Sequence, residues 1–293
     1  MRQRWPMLAF FALLAAPTGC ATQKQVIAQK QDGAIQTGLQ PRRRHLGMGI
    51  ATAVALVLVA APFGATSHAE EHAAKRVEAM ASFLAKAPRL SVSADCTYDV
   101  VQDSGEKIEF GEKRVMTLRR PDRAHIEVTR RDGIRRNLVF DGKQIAVFDL
   151  DQKVYATAAK AGTLDVAFDY YKNDLNMRLP LSELLASDLP KQVAAMAGSA
   201  RLVGEETVNG VATDHVALRG DTADIQLWIA QAGDPLPQRL VITYRMAEGQ
   251  PQFEAMLSSW NFTPDVPDSA FTFTPAAGAQ EIPFLVPRPA TQP

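Results

Sequence analysis

From Asn137 to Ala158 the chain alternates apolar and polar residues, breaks at Asp141-Gly142, alternates again and breaks at Asp151-Gln152. A period of two puts successive side chains on opposite faces of a strand, and an Asp-Gly step between two such runs is a strong hairpin signal. The pattern predicts a meander, and it extends both ways. Upstream it predicts strands over Leu90–Gln102, Lys107–Arg119 and Asp122–Arg131; here it predicts Ile134–Asp141, Lys143–Leu150 and Lys153–Ala158. Downstream it predicts Ala200–Val208, Val211–Arg219, Ala223–Ala230, Gln238–Met246 and Gln252–Phe262, with Asn209-Gly210 as another hairpin turn. Short links between neighbours make the strands antiparallel.

The period changes to the helical one in two places. Glu70–Ala87 carries Val77, Met80, Phe83 and Leu84 on one stripe, opens with acids and is followed by Pro88. Gly162–Asn176 carries Leu164, Ala167, Phe168, Tyr171 and Leu175 at helical spacing behind Thr163 as N-cap. One or two further short helices follow, broken at Pro190. Phe271 and Phe273 are expected to dock as an edge strand.

About eleven strands, one leading helix and a helical middle, without repeat or linker, fit a single α+β domain: one large antiparallel sheet with helices gathered on one side. A flat sheet that wide is disfavoured by strand twist, so the expectation is a curved sheet whose concave face the helices fill. Period-two reading assigns that face Tyr98, Leu118, Ile126 and Phe140 from the first half, and Leu227, Ile229, Ile242, Tyr244 and Phe253 from the second. The helices add Phe168 and Tyr171. A sealed core and a cavity for acyl chains would use the same residues, and both readings stay open here.

Charge changes the picture only after the chain is divided. The 32 Lys/Arg and 32 Asp/Glu balance, but residues 1–69 hold seven basic residues and one acid, which leaves 25 basic and 31 acidic residues, a net of −6, from Glu70 onward. A mildly acidic body argues against a nucleic-acid surface. Residues 42–69 read as a signal peptide: basic "RRRH", an apolar run, then "SHA" before Glu70. Residues 1–41 read as an upstream extension or false start, the alternative being a doubly anchored chain or one lipidated at Cys20. The domain is expected over 70–287, with 288–293 a disordered tail. No run after Glu70 reaches the ~18 apolar residues of a spanning helix, so no transmembrane anchor is expected once the signal is cleaved, and the body is expected to be exported.

Candidate chemistry is sparse. Cys96, alone after Glu70, alternates with Val92, Ala94, Tyr98 and Val100 and reads as a buried small hydrophobe. His72, His125 and His215 share no metal-ligand spacing, and Asp214 points away from His215 on a strand. No nucleophile elbow, phosphate loop or dinucleotide fingerprint is present. No cofactor and no enzymatic activity are expected.

Two segments carry a resemblance. "LRRPDRAHIEV" (118–128), followed by "RRNLVFDGKQIAVFDLDQKVYA", resembles the meander of the LolA/LolB-like periplasmic lipoprotein carriers. The region from about Glu70 to Pro287, with its closing "VPDSAFTFTPAAGA", is similar to a predicted periplasmic family of unknown function (domain of unknown function 2092) grouped with that fold. The resemblance implies an unclosed, strongly curved half-barrel with helices as a lid over an apolar cavity. It also implies a lid-holding arginine near the Arg-Pro step; Arg119, Arg120 and Arg123 are the positions available, with Arg119 and Arg123 taken as rim residues. The functional expectation is a non-enzymatic binder of a lipid, acyl chain or lipoprotein moiety. The alternative is an envelope protein-interaction or sensor module with a filled core.

Overall fold

The computed structural model describes residues 63–284 apart from 176 and 178. The expected upstream stretch (1–41), most of the expected signal peptide and the expected tail (288–293) lie outside the described residues.

Helix α1 (Phe63–Lys86) precedes six strands: β1 (Arg89–Val101), β2 (Lys107–Arg119), β3 (Arg123–Arg130), β4 (Arg135–Phe140), β5 (Gln144–Asp149) and β6 (Val154–Ala159). Helices α2 (Leu164–Asn173), α3 (Ser182–Leu185) and α4 (Leu189–Met196) follow. Then come β7 (Arg201–Val208), β8 (Val211–Arg219), β9 (Ala223–Ala230), β10 (Pro237–Tyr244), β11 (Gln252–Asn261) and β12 (Gln280–Glu281). All twelve strands form one sheet in the order β12-β6-β5-β4-β3-β2-β1-β11-β10-β9-β8-β7. It does not close: β12 and β7 are its edges. Every pairing is antiparallel except β12 with β6. Register shifts in β1, β7 and β10 add bend to a layer that twist already curves.

Local chemistry accounts for most of these elements. Asn209 and Gly210 both take positive φ (49° and 81°) between Val208 and Val211, the two-residue turn whose twist matches a hairpin. Thr163 caps α2 by accepting a hydrogen bond from the Val166 amide. Pro190 does not break the helical middle as expected: it lies in the first turn of α4, where a missing N–H costs nothing, and the break falls at residues 186–188. The expected edge strand at Phe271 and Phe273 is also corrected. Residues 268–271 form a 3-10 turn that buries Phe271. The twelfth strand comes later, at Gln280–Glu281, one more than the eleven expected.

Topology explains why helices cover the inner face. β6 and β7 lie ten strand spacings apart, roughly 48 Å along the sheet. Residues 160–200 connect these two strands as α2–α4, while α1 leads into the central β1. The buried side of α1 (Ala73, Val77, Met80, Ala81, Leu84) and that of α2 (Leu164, Ala167, Phe168, Tyr171) join the inward side chains of the sheet in one apolar cluster. From β11 the chain returns along the sheet to β6. On the way Arg119 pairs with Asp268 at 2.7 Å and lies over the Phe271 ring, and Phe273 packs on Phe148 and Tyr155.

Candidate ligand-binding face

Strand register lays the inner face out in rows. One end is apolar: Leu90, Leu118, Ala124, Phe140 and Ile145 face one another across β1–β5, and Val92, Met116, Ile126, Leu138 and Val147 form the next row. Leu118, Ile126, Phe140, Phe168, Tyr171, Leu227, Ile229 and Phe253 are all buried in the common cluster. Tyr98, Ile242 and Tyr244 are only partly buried against it. Tyr98 pairs with Phe253, which pairs with Ile242, so the half-covered residues sit together at one end of the face. Tyr98 also stacks on Phe110, with centroids 6.1 Å apart. This end forms an aromatic lip.

Between lip and apolar end lies a buried charged band, two register rows deep, that sequence reading missed: Arg114, Arg136 and Asp149 share one row, Glu112 and Arg130 the next. Glu112, Arg114 and Asp149 are 4–5 % exposed. Arg114 gives both Nε (2.6 Å) and Nη2 (2.5 Å) to Glu112 Oε1, and Arg136 Nε reaches Asp149 Oδ2 at 3.1 Å. Asp149 Oδ1 accepts the amides of Asp151 and Gln152, which ties this row to the β5–β6 turn. The third arginine of the band, Arg130, pairs with Asp132 at 2.9 Å. The signal was parity: Glu112 and Arg114 are in step with Met116 and Leu118, Arg136 with Leu138 and Phe140, and Asp149 with Ile145 and Val147. A charged side chain at a core-facing strand position demands a partner.

Tyr171 of α2 lies over this band, within electrostatic reach of Arg114, Arg136 and Glu112; burial pushes its phenol up to about 12. Burial likewise pushes the Cys96 thiol, beside Glu112 in the β1–β2 register, up to about 12, which makes it inert. The Arg114 guanidinium sits 5.6 Å from the Phe253 ring centre, and its Nη1, though buried, has no hydrogen-bond acceptor among the described residues.

The arginines of the Arg-Pro region divide their work. Arg120 donates to the carbonyls of Ala87 (3.1 Å) and Leu185 (2.8 Å) and to Ser187 Oγ (3.3 Å), joining the end of α1 to the α3–α4 loop. Asp165 of α2 accepts from the Ser187 amide at 2.8 Å and from its hydroxyl. Arg119 holds Asp268, and Arg123 holds the Asp141 carbonyl and Asp122 at the β4–β5 turn. The contacts to the helices therefore come from Arg120.

Other polar groups lie elsewhere. Asp214 faces inward and holds Arg76 of α1 at 2.7 Å. His215 faces the other way, stacked on Trp228 at 4.0 Å and bonded to Glu206 and Gln226. A small, open cleft between Arg89, Thr117, Arg119 and Pro264, Val266 and Phe271 is separate from the charged band. Among the described residues no His, Cys, Asp and Glu converge in a group able to hold a metal ion. No described helix is long and apolar enough to cross a membrane.

Several solved structures are similar at low identity. LprF from Mycobacterium bovis matches with TM-score 0.43 and 16% identity over 67% of this chain and 96% of that one. An uncharacterized conserved protein from Thermus thermophilus gives 0.40 and 10% over 73% and 98%. A LolA superfamily protein from Nitrosomonas europaea gives 0.33 and 14% over 69% and 97%. No curated protein matches. A family model described as "Predicted periplasmic protein (DUF2092)" matches residues 73–285, which contain all the described strands of the sheet, α2–α4 and most of α1. The chain belongs to this periplasmic family.

Proposed function

We propose that the protein is a non-enzymatic periplasmic binder that holds an apolar chain, as part of a lipid or of an acylated protein, between the inner face of its sheet and its helices. One observation carries this reading. The broad apolar face is covered by helices, the long α1 and the short α2–α4, rather than by a second sheet, and the polar ties of that cover to the sheet side include those of Arg120 to Leu185 and of Arg76 to Asp214. Such a cover can shift without breaking a strand ladder, and the lip at Tyr98, Ile242 and Tyr244 gives a chain a place to enter. Apolar area removed from water there supplies affinity at about 25 cal/mol per Å².

The test is to purify the protein gently from the periplasm, denature it and identify extracted lipids by mass spectrometry. Diphenylhexatriene is then titrated into the delipidated protein. A bound lipid and saturable probe binding are expected. Tyr171→Ala should weaken retention more than it lowers the melting temperature. A protein recovered empty, indifferent to the probe and associated with a stable protein partner would favour the interaction-module reading instead.

A further inference from the structure

The charged band has a property that the binding reading alone does not use. Its ion pairs balance: Arg114 with Glu112, Arg136 with Asp149, Arg130 with Asp132. Among the described residues the Arg114 Nη1 group is left without an acceptor, buried on the inner face beneath the helix that carries Tyr171 and two rows inside the aromatic lip. A buried guanidinium N–H without an acceptor is costly, and hydrogen bonds to charged groups are among the stronger ones.

We propose that Arg114 is the polar anchor of the ligand, and that the group it takes is a neutral carbonyl, an acyl ester or amide, rather than a free carboxylate or phosphate. This rests on the apolar-chain reading above. A ligand entering past Tyr98 and Phe110 with its carbonyl at Arg114 Nη1 would lay its tail along Met116, Leu118 and Ile126. The preference for a neutral acceptor follows from charge. An anion would arrive in a water-poor site whose positive charges are already matched, close to Glu112 and Asp149, with its lost hydration left without a compensating cation. A carbonyl satisfies the donor and brings no charge.

The experiment compares monoolein with oleate, at a pH where oleate is ionised, as displacers of diphenylhexatriene from the full delipidated protein. Wild type should hold monoolein about tenfold or more tighter than oleate, the scale of one buried hydrogen bond to a charged group. Arg114→Lys keeps a cation for Glu112 but removes the guanidinium fork. It should lower monoolein affinity severalfold and leave diphenylhexatriene, which has no acceptor, nearly unchanged. If Arg114→Lys does not fold, the paired Glu112→Leu/Arg114→Met variant carries the same comparison. Oleate binding as tightly as monoolein, or an ester preference that survives both variants, overturns the anchor. Failure of diphenylhexatriene to bind wild type overturns the binding reading beneath it, so the two failures are distinct.

Discussion

Glu112 and Arg114 show how one pair of side chains can cost stability and still be retained. Taking both from water is expensive, and removing one partner is worse than removing both. Glu112→Leu should therefore destabilise the fold by about 3–5 kcal/mol, whereas Glu112→Leu/Arg114→Met should recover most or all of that loss. Denaturant unfolding of the two variants checks it; equal losses would mean that the pair is not an uncompensated-charge problem. Cys96 offers a second test. With its thiol held up at about 12 and fully covered, it should resist iodoacetamide in the native state and react fully once unfolded, as read by intact mass.

Turns and tethers hold the secondary structure in place. Gly142 (φ 84°) closes the β4–β5 hairpin, and a β-carbon there would come within 2.6 Å of Arg123 Nη1 and 2.5 Å of Asp122 Oδ2. Gly142→Ala should cost at least about 1–2 kcal/mol from the left-handed backbone alone, with a lower urea midpoint as the readout. Arg120→Ala should act on the cover and spare the sheet. Hydrogen exchange is expected to accelerate at the α3–α4 amides while β1–β5 keep their protection. Uniform acceleration would show that the arginine supports the whole fold instead. The strands and turns were legible because each follows from local alternation and turn chemistry. Pro190 and the late β12 were not: the proline is tolerated at the N-terminus of a helix, and a two-residue strand carries no periodicity.

For the molecule as a whole, pH dependence has a defined direction. Burial holds His125 below its ordinary value, only partly opposed by Glu127. The unfolded chain therefore takes up this proton first as the pH falls. Stability is full above the unfolded value of about 6.5 and declines as pH drops through it toward the lower folded value. Glu206, held below the usual carboxylate range chiefly by the Trp228 N–H, adds its loss only in more acid solution, below about 4.5. Melting temperature should thus fall less for His125→Gln than for wild type as pH is lowered across the histidine range. Parallel curves would exclude His125 as the source.

Alternation, turn residues and the helical stripes already specified eleven of the twelve strands, the antiparallel links and the inward set from Tyr98 to Phe253, because each is a local property of consecutive residues. They did not specify which charges share a row. Arg114, Arg136 and Asp149 come from three strands, and only the register of β2 through β5 sets them in one row under Tyr171, with Glu112 one row away. They anticipated helices over the inner face but not the path of the helical middle, which depends on β6 and β7 lying near opposite ends of one unclosed sheet. Non-local pairing decides both, and with them where a ligand's chain and its polar group would lie.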